Sequence, residues 1–349
     1  MPKSNGLRAP AREPTPFADL NAVLAHLVEN VRAILGETFI GAYLHGSFAV
    51  GDADEHSDCD FVVVTQLDLT AGEVAALQAL HAAIHELPHE PWRHRLEGSY
   101  APAAILRRLS PEPRDPPGEP PRPDDWGDPG LSGAPPRHYP FVYLDHGAKI
   151  LVRSEHDNTQ VVRWSLREKG VVLAGPDPRE LIDPVAPEML RAEVRATMDL
   201  ALAVDLEPMA MKAWQAFWVG LYCRMLHTVV TGAVWSKKAS AAWATAHLDP
   251  AWAPLIARAQ AIKEGSRAEA MSPSDPADVA ATRAFARHVT ERADQEKRAR
   301  ELIAARLAAK LDGPHMGHRG GPAASRSGGP VRSQFTPPTF RPDGRGKRG

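Results

Sequence analysis

Cysteine is nearly missing. Cys59 and Cys223 are the only two in 349 residues, and both sit inside apolar runs. A disulfide framework is therefore excluded as the basis of the fold, and a reducing compartment, the cytoplasm, is expected. A secretory leader is not expected either, because the opening "MPKSNGLRAPAREPTP" is polar and Pro-containing. Long uninterrupted apolar runs are lacking. The most membrane-like stretch, residues 209–231, carries Lys212, Gln215, Arg224 and His227. Charges at bilayer depth are costly, so this stretch reads as a buried helix and no membrane partner is expected. A surplus of one charge sign is lacking too: 41 Lys and Arg against 43 Asp and Glu leave a net charge of −2. That gives no global affinity for nucleic acid. No basic stripe with interleaved aromatics compensates in the part expected to fold, so nucleic acid is not an expected partner.

What is present divides into two halves. Residues 17–35 carry Leu20, Val23, Leu24, Leu27, Val28, Val31 and Leu35 at helical spacing, and Gly36 is placed to stop the helix. "TFIGAYLHG", Cys59 to Thr65 and "WRHRLEGSYAP" read as strands. Between the last two, "TAGEVAALQALHAAIHEL" reads as a helix with a Thr70/Glu73 capping box. The order helix, strand, strand, helix, strand is an α/β pattern. Residues 110–140 hold about a third of the 33 prolines and no helical period, so a long irregular loop is expected. "HYPFVYLDHG" and "KILVRS" resume strand character, and residues 157–169 read as a helix closed by Gly170. From 187 to 311 the period is almost wholly helical, rich in Ala, Leu, Arg and Trp. The expected division is a disordered stretch at 1–13, a mixed domain at 14–184, a helical domain at 185–312 and a disordered basic tail at 313–349.

The chemistry sits in "LHGSFAVGDADEHSDCDFVVV", residues 44–64. Side chains alternate along a strand, so Asp58 and Asp60 at a strand start point the same way. Two carboxylates that close resist joint ionisation unless a cation lies between them. Gly46 lets backbone approach a phosphate closely, and Ser47 offers a hydroxyl to it. Asp58 and Asp60 are then candidate Mg²⁺ ligands, since that ion takes carboxylate oxygens together with substrate phosphates. Two such ions clamp both oxygens of an in-line displacement.

Gly46-Ser47, a spacer with Gly51 and Ser57, then Asp58-x-Asp60 ahead of an apolar strand resembles the motif of the nucleotidyltransferase superfamily. That resemblance implies the polymerase-β-like fold and a third carboxylate on a later strand, for which Glu97 is the candidate as metal ligand and general base. The second half narrows the resemblance. "RMLHTVVTGAVWSKKASAAWATAHLDPAWAPLIARA" is similar to the C-terminal helical domain of the aminoglycoside adenylyltransferases that modify streptomycin and spectinomycin, and "REKGVVLAGPDPRELIDPV" to their interdomain link. The similarity covers roughly residues 35–105 and 155–265. It implies an α+β chain: a polymerase-β-like mixed sheet with helices, followed by an all-helical domain. It further implies that Lys237, or Lys238 in a shifted register, reaches the ATP phosphates. Arg224 is then either a structural ion-pair partner or a wall of the nucleotide site, and Ser47 and Ser57 belong to the nucleotide motif. Residues 217–221 match a segment that lines the ATP site in that family, although their aromatics suit a core. Asp157 and Asn158 either cap the helix that follows or touch the nucleotide, and residue type favours capping.

One departure bears on the acceptor. Where those enzymes carry acids for the drug's cationic groups, Trp214 and Gln215 stand here, and Ile262 and Lys263 replace an aromatic contact. A polycation without nearby carboxylates is costly to desolvate. The expected activity is metal-dependent transfer of AMP from ATP to a hydroxyl of a small molecule, aminoglycoside-like or otherwise hydroxylated, with release of pyrophosphate. Two ions are expected, and a monomer or weak dimer. Two alternatives compete: transfer to a protein or RNA in a toxin–antitoxin-like system, and a nucleotide-binding regulator without catalysis.

Overall fold

The computed structural model describes residues 13–109, 140–203 and 210–311. Apart from their edge residues, the expected disordered start (1–13), irregular loop (110–140) and basic tail (313–349) lie outside the described residues. The chain opens with α1 (Ala18–Leu35), β1 (Phe39–Leu44), a short α2 (Gly46–Val50) and β2 (Cys59–Thr65). Next come α3 (Ala71–Ile84), β3 (Leu96–Pro102), α4 (Ala103–Leu106), β4 (Phe141–Leu144), β5 (Leu151–Ser154), α5 (Gln160–Lys169) and β6 (Val171–Ala174). After α6 (Pro178–Leu181) the chain is helical: α7 (Pro187–Ala203), α8 (Lys212–Thr231), α9 (Lys237–His247), α10 (Ala253–Glu264), α11 (Arg267–Ala270) and α12 (Pro276–Leu311). The described residues up to Leu302 pack as one compact unit.

The six strands lie in the order β5-β4-β3-β2-β1-β6. Only β2 and β3 run parallel, with α3 as their crossover, so the sheet is mixed. One face packs under α1 and α3 through Leu20, Leu24, Leu27, Phe61, Val63 and Leu77. The other gathers Tyr43, Val62, Val64, Phe141 and Leu166. Both faces of β2 are therefore covered, which explains its unbroken run Phe61-Val62-Val63-Val64. The helical part has a core of its own: Val219, Tyr222, Cys223 and Leu226 of α8 meet Leu255 and Ile256 of α10 and Phe285 and Val289 of α12. Cys59 and Cys223 are buried free thiols. Among the described residues no helix is long and apolar enough to cross a membrane.

The capping box is present as read from the sequence. The Thr70 hydroxyl accepts from the Glu73 N–H, and Glu73 accepts from the Thr70 N–H at 2.7 Å. Thr70→Ala should lower stability by about 1 kcal/mol, measured as an earlier urea midpoint at unchanged slope. Another expectation fails. Asp157 and Asn158 do not cap α5; Thr159 does, its hydroxyl accepting from the Val162 N–H at 3.0 Å. Asn158 instead accepts from the fully buried Arg163 guanidinium at 2.6 Å, and Asp157 accepts the Ser99 hydroxyl, also at 2.6 Å. A buried guanidinium must fill its donors, and Arg163 does so partly through the Ile105 and Leu106 carbonyls of α4.

Candidate active site

The site is assembled at one end of the β2–β3 pair. In the parallel register Asp60 sits beside Glu97, so the two carboxylates share a sheet face. Asp58 precedes β2 by one residue and belongs to the same alternating set. The turn from β1 into α2 folds back on this edge: the His45 N–H donates to the Asp60 carbonyl at 3.0 Å. Gly46 follows at φ +58, and a Cβ there would fall 1.7 Å from Asp60 Oδ2. Only glycine lets the main chain lie this close to the carboxylate.

The acids repel one another. Burial pushes the Asp60 carboxyl up from its ordinary value; His45 opposes the shift, while Glu97, Asp157 and Asp58 add to it. Glu97 behaves differently. Burial would raise it, but His156 at 3.3 Å and the Tyr143 hydroxyl, donating at 2.5 Å, outweigh burial and hold it low. The Tyr143 and His156 rings stack 4.6 Å apart, which fixes both against Glu97. His45 is buried, its Nε2 3.9 Å from Asp157 and without a hydrogen bond. Asp58, Glu97 and His146 each bring a ligand atom within 4.8 Å of the others. Carboxylates that converge in this way, with an imidazole beside them, are donors of the kind that hold divalent cations.

Lys237 approaches from the helical half. Ser236 caps α9, its hydroxyl accepting from the Ala239 N–H at 3.1 Å, and that cap sets Lys237 in the first turn. The Lys238 N–H reaches Asp52 in the loop before β2 at 3.3 Å. A cavity of about 440 Å³ lies where the two halves meet, lined by Asp58 and His146 from the sheet side and by Phe217, Lys237, Lys263 and Arg267 from the helical side. The Lys237 ammonium stands 4.2 Å from the centre of the Phe217 ring. Burial, with Arg224 and Lys263 nearby, pulls Lys237 down to about 7, against the opposite pull of Asp60 and Asp58. Arg224 is partly buried and feels Asp60; no hydrogen bond or ion pair engages its guanidinium among the described residues.

Of the residues singled out in the sequence, Asp58, Asp60, Glu97 and Gly46 come together, and Lys237 and Arg224 face them. Lys238 turns outward to Glu264 at 2.7 Å, so Lys237 holds the inward position of the two. Ser47 sits in the first turn of α2, its carbonyl accepting from the Asp52 N–H. Ser57 closes the preceding loop on Asp54 at 3.0 Å and does not line the cavity. Phe217 corrects the assignment of its segment to the core: it faces the cavity, while Trp218 packs against the helical core. Trp214 is exposed, and Gln215 is buried with its amide on Thr282 at 2.9 Å, so neither replaces an acid in the cavity. His45, Tyr143, His146 and His156 were not found from the sequence. Tyr143 had a faint signal as a polar-tipped residue in a strand; the histidines had none.

Residues 180–292 match the family model of the aminoglycoside adenylyltransferase C-terminal domain. A solved structure with the same fold is the spectinomycin adenyltransferase AAD(9) from Enterococcus faecialis, determined with ATP and spectinomycin. It aligns over 78% of this chain and 98% of its own, at 13% identity and a TM-score of 0.53. No curated protein matches the sequence. These findings bear out the α+β architecture and the resemblance to the aminoglycoside adenylyltransferases.

Proposed function

We propose that this chain, aminoglycoside adenylyltransferase-like in its helical half, moves AMP from ATP to a hydroxyl of a small molecule and releases pyrophosphate. The observation that carries the reading is the placement of Asp58 and Lys237 on one cavity, each contributed by a different half of the chain. Asp58 on the sheet side, with Glu97 beside it, and Lys237, Lys263 and Arg267 on the helical side suit a metal-bound triphosphate laid between them. In this reading the Asp58, Asp60 and Glu97 carboxylates hold Mg²⁺, which when bound would neutralise phosphate oxygens and polarise the acceptor hydroxyl. Lys237 and Arg224 bind the triphosphate and hold it in line. The acceptor oxygen attacks the α-phosphorus, the bond to the bridging oxygen breaks, and pyrophosphate leaves. Glu97, held ionised by Tyr143 and His156, receives the hydroxyl proton in passing.

The test is ATP-dependent pyrophosphate release against a panel of hydroxylated acceptors that includes spectinomycin and streptomycin. Turnover with one or more acceptors, dependent on divalent cation, is expected. Failure of ATP with divalent cation to raise the melting temperature would reject the shared cavity, because a ligand bound only to the folded state must stabilise it.

Lys237 supplies a sharper check. Its ammonium loses its proton near pH 7 in the free protein, so above that pH binding of a triphosphate must first restore the proton. ATP affinity should then fall as pH rises, by at most about tenfold per pH unit. Lys237→Ala should weaken ATP binding and flatten the profile. Lys237→Arg should flatten it without full recovery, because a fork-shaped cation differs in geometry from an ammonium. Calorimetric titration of ATP between pH 6.5 and 9 measures this, and an unchanged slope in Lys237→Ala removes Lys237 from the nucleotide site.

A further inference from the structure

His146 stands outside everything the motif requires. It follows β4 in a tight turn, where its N–H donates to its neighbour Asp145 at 2.9 Å and Gly147 takes φ +68. The turn is anchored from behind by His85, whose Nε2 lies 3.1 Å from the Ala148 carbonyl. The result is an imidazole delivered to the carboxylate edge from a third strand, with Nδ1 2.9 Å from Asp58 Oδ1. Its ligand atom and those of Asp58 and Glu97 all lie within 4.8 Å of one another. Asp60 is not part of that triangle: its carboxylate lies against the backbone of Gly46.

The spacing is informative. Neighbouring ligand atoms held at about 2.0–2.1 Å from an octahedral ion are about 3 Å apart. The His146–Asp58 contact, now a direct hydrogen bond, already has that spacing, so a cation displacing it needs little rearrangement, and Glu97 closes the triangle from the adjoining strand. Two carboxylates with an imidazole make a mixed oxygen and nitrogen donor set. Mg²⁺ takes oxygen ligands and gains little from imidazole, whereas first-row transition ions such as Co²⁺ and Zn²⁺ bind it well.

The geometry points to His146 as a ligand of a divalent cation shared with Asp58 and Glu97, giving this site a preference for a first-row transition-metal ion over Mg²⁺. The inference rests on the metal-dependent reading above and adds a ligand to it. His146 does not need to move far, because the carboxylates and the ring already converge without an ion. The half-exposed ring leaves room on the cavity side for substrate oxygens to complete the coordination.

The test is metal binding by the full-length protein without ATP. Co²⁺ is titrated in and followed by its visible absorption, which reports the ion's coordination sphere and shifts when a ligand is lost, and Mg²⁺ is measured by competition. The wild type should bind Co²⁺ at least tenfold more tightly than Mg²⁺. His146→Ala should lose roughly 10–100-fold in Co²⁺ affinity, the usual effect of disturbing a metal's coordination sphere, with a changed spectrum and little change for Mg²⁺. His146→Gln is the second variant should the alanine form melt early in metal-free buffer. Unchanged Co²⁺ affinity and spectrum in a folded His146 variant overturn the inference and leave His146 as an ion-pair partner of Asp58. Asp58→Asn separates the two readings: it should weaken both ions, and if it weakens neither, metal dependence at these carboxylates fails with it.

Discussion

Asp60→Asn should abolish AMP transfer while leaving a folded protein that is no less stable without metal. The shape of the side chain is kept, so the contact beneath Gly46 survives. The charge that holds a cation is lost, and the rate should fall by more than the roughly 10²-fold that follows removal of one preorganised electrostatic contact. The stability prediction has the opposite sign, for a reason visible in the site. Burial and the neighbouring Glu97, Asp157 and Asp58 raise the Asp60 carboxyl, so in the metal-free protein its ionised form costs stability. A carboxyl raised by folding contributes stability at low pH and loses it as pH climbs through the folded-state value. Asn carries no such penalty. The metal-free variant should melt at or above wild type at pH 7–8, with the gap closing as the pH is lowered. Pyrophosphate release at the wild-type rate would sink the two-ion mechanism, whereas a sharply lower melting temperature would show that Asp60 is held by a charge partner instead.

Gly46→Ala should be the most damaging change that touches no charge. The backbone there is left-handed, which costs an L-residue about 1–2 kcal/mol. The added methyl would also fall 1.7 Å from Asp60 Oδ2. Either the carboxylate rotates off the metal edge or the β1–α2 turn lifts, and both separate the phosphate-binding turn from the ligands. We expect activity to fall at least about 10²-fold and stability by about 1–3 kcal/mol. A double-mutant cycle isolates the contact. In an Asp60→Ala background the same Gly46→Ala change should cost much less, leaving mainly the backbone term, because the clashing atoms are gone. Equal costs in both backgrounds would show that the two residues do not compete for space.

Much of the fold was legible in the sequence because it is encoded by neighbours along the chain. The bounds of β2, the Thr70–Glu73 capping box and the stop at Gly170 each follow from local patterns of apolar residues, caps and glycine. The placement of Asp58 and Asp60 at a strand start is equally local. Thr159 shows where such reading slips: Asp157 and Asn158 are at least as good capping types, but the buried Arg163, five residues on, had a stronger claim on Asn158. Competition among hydrogen-bond partners is settled by burial, and burial is a property of the packed molecule.

By itself the sequence determined the strand that bears the Asp58-x-Asp60 pair, the helical character of the second half and the turn that needs glycine at position 46. Tertiary structure alone decided which of two adjacent lysines faces the carboxylates: the Ser236 cap orients α9 so that Lys237 lines the cavity and Lys238 pairs with Glu264. It also brought Tyr143, His146 and His156 around Glu97 and Asp58, from segments 46 to 88 positions away. The physical reason is that helix and strand periods are written in spacings of two to four residues, whereas charges and donors around a site are gathered by the sheet order β4-β3-β2 and by the packing of a second core against it.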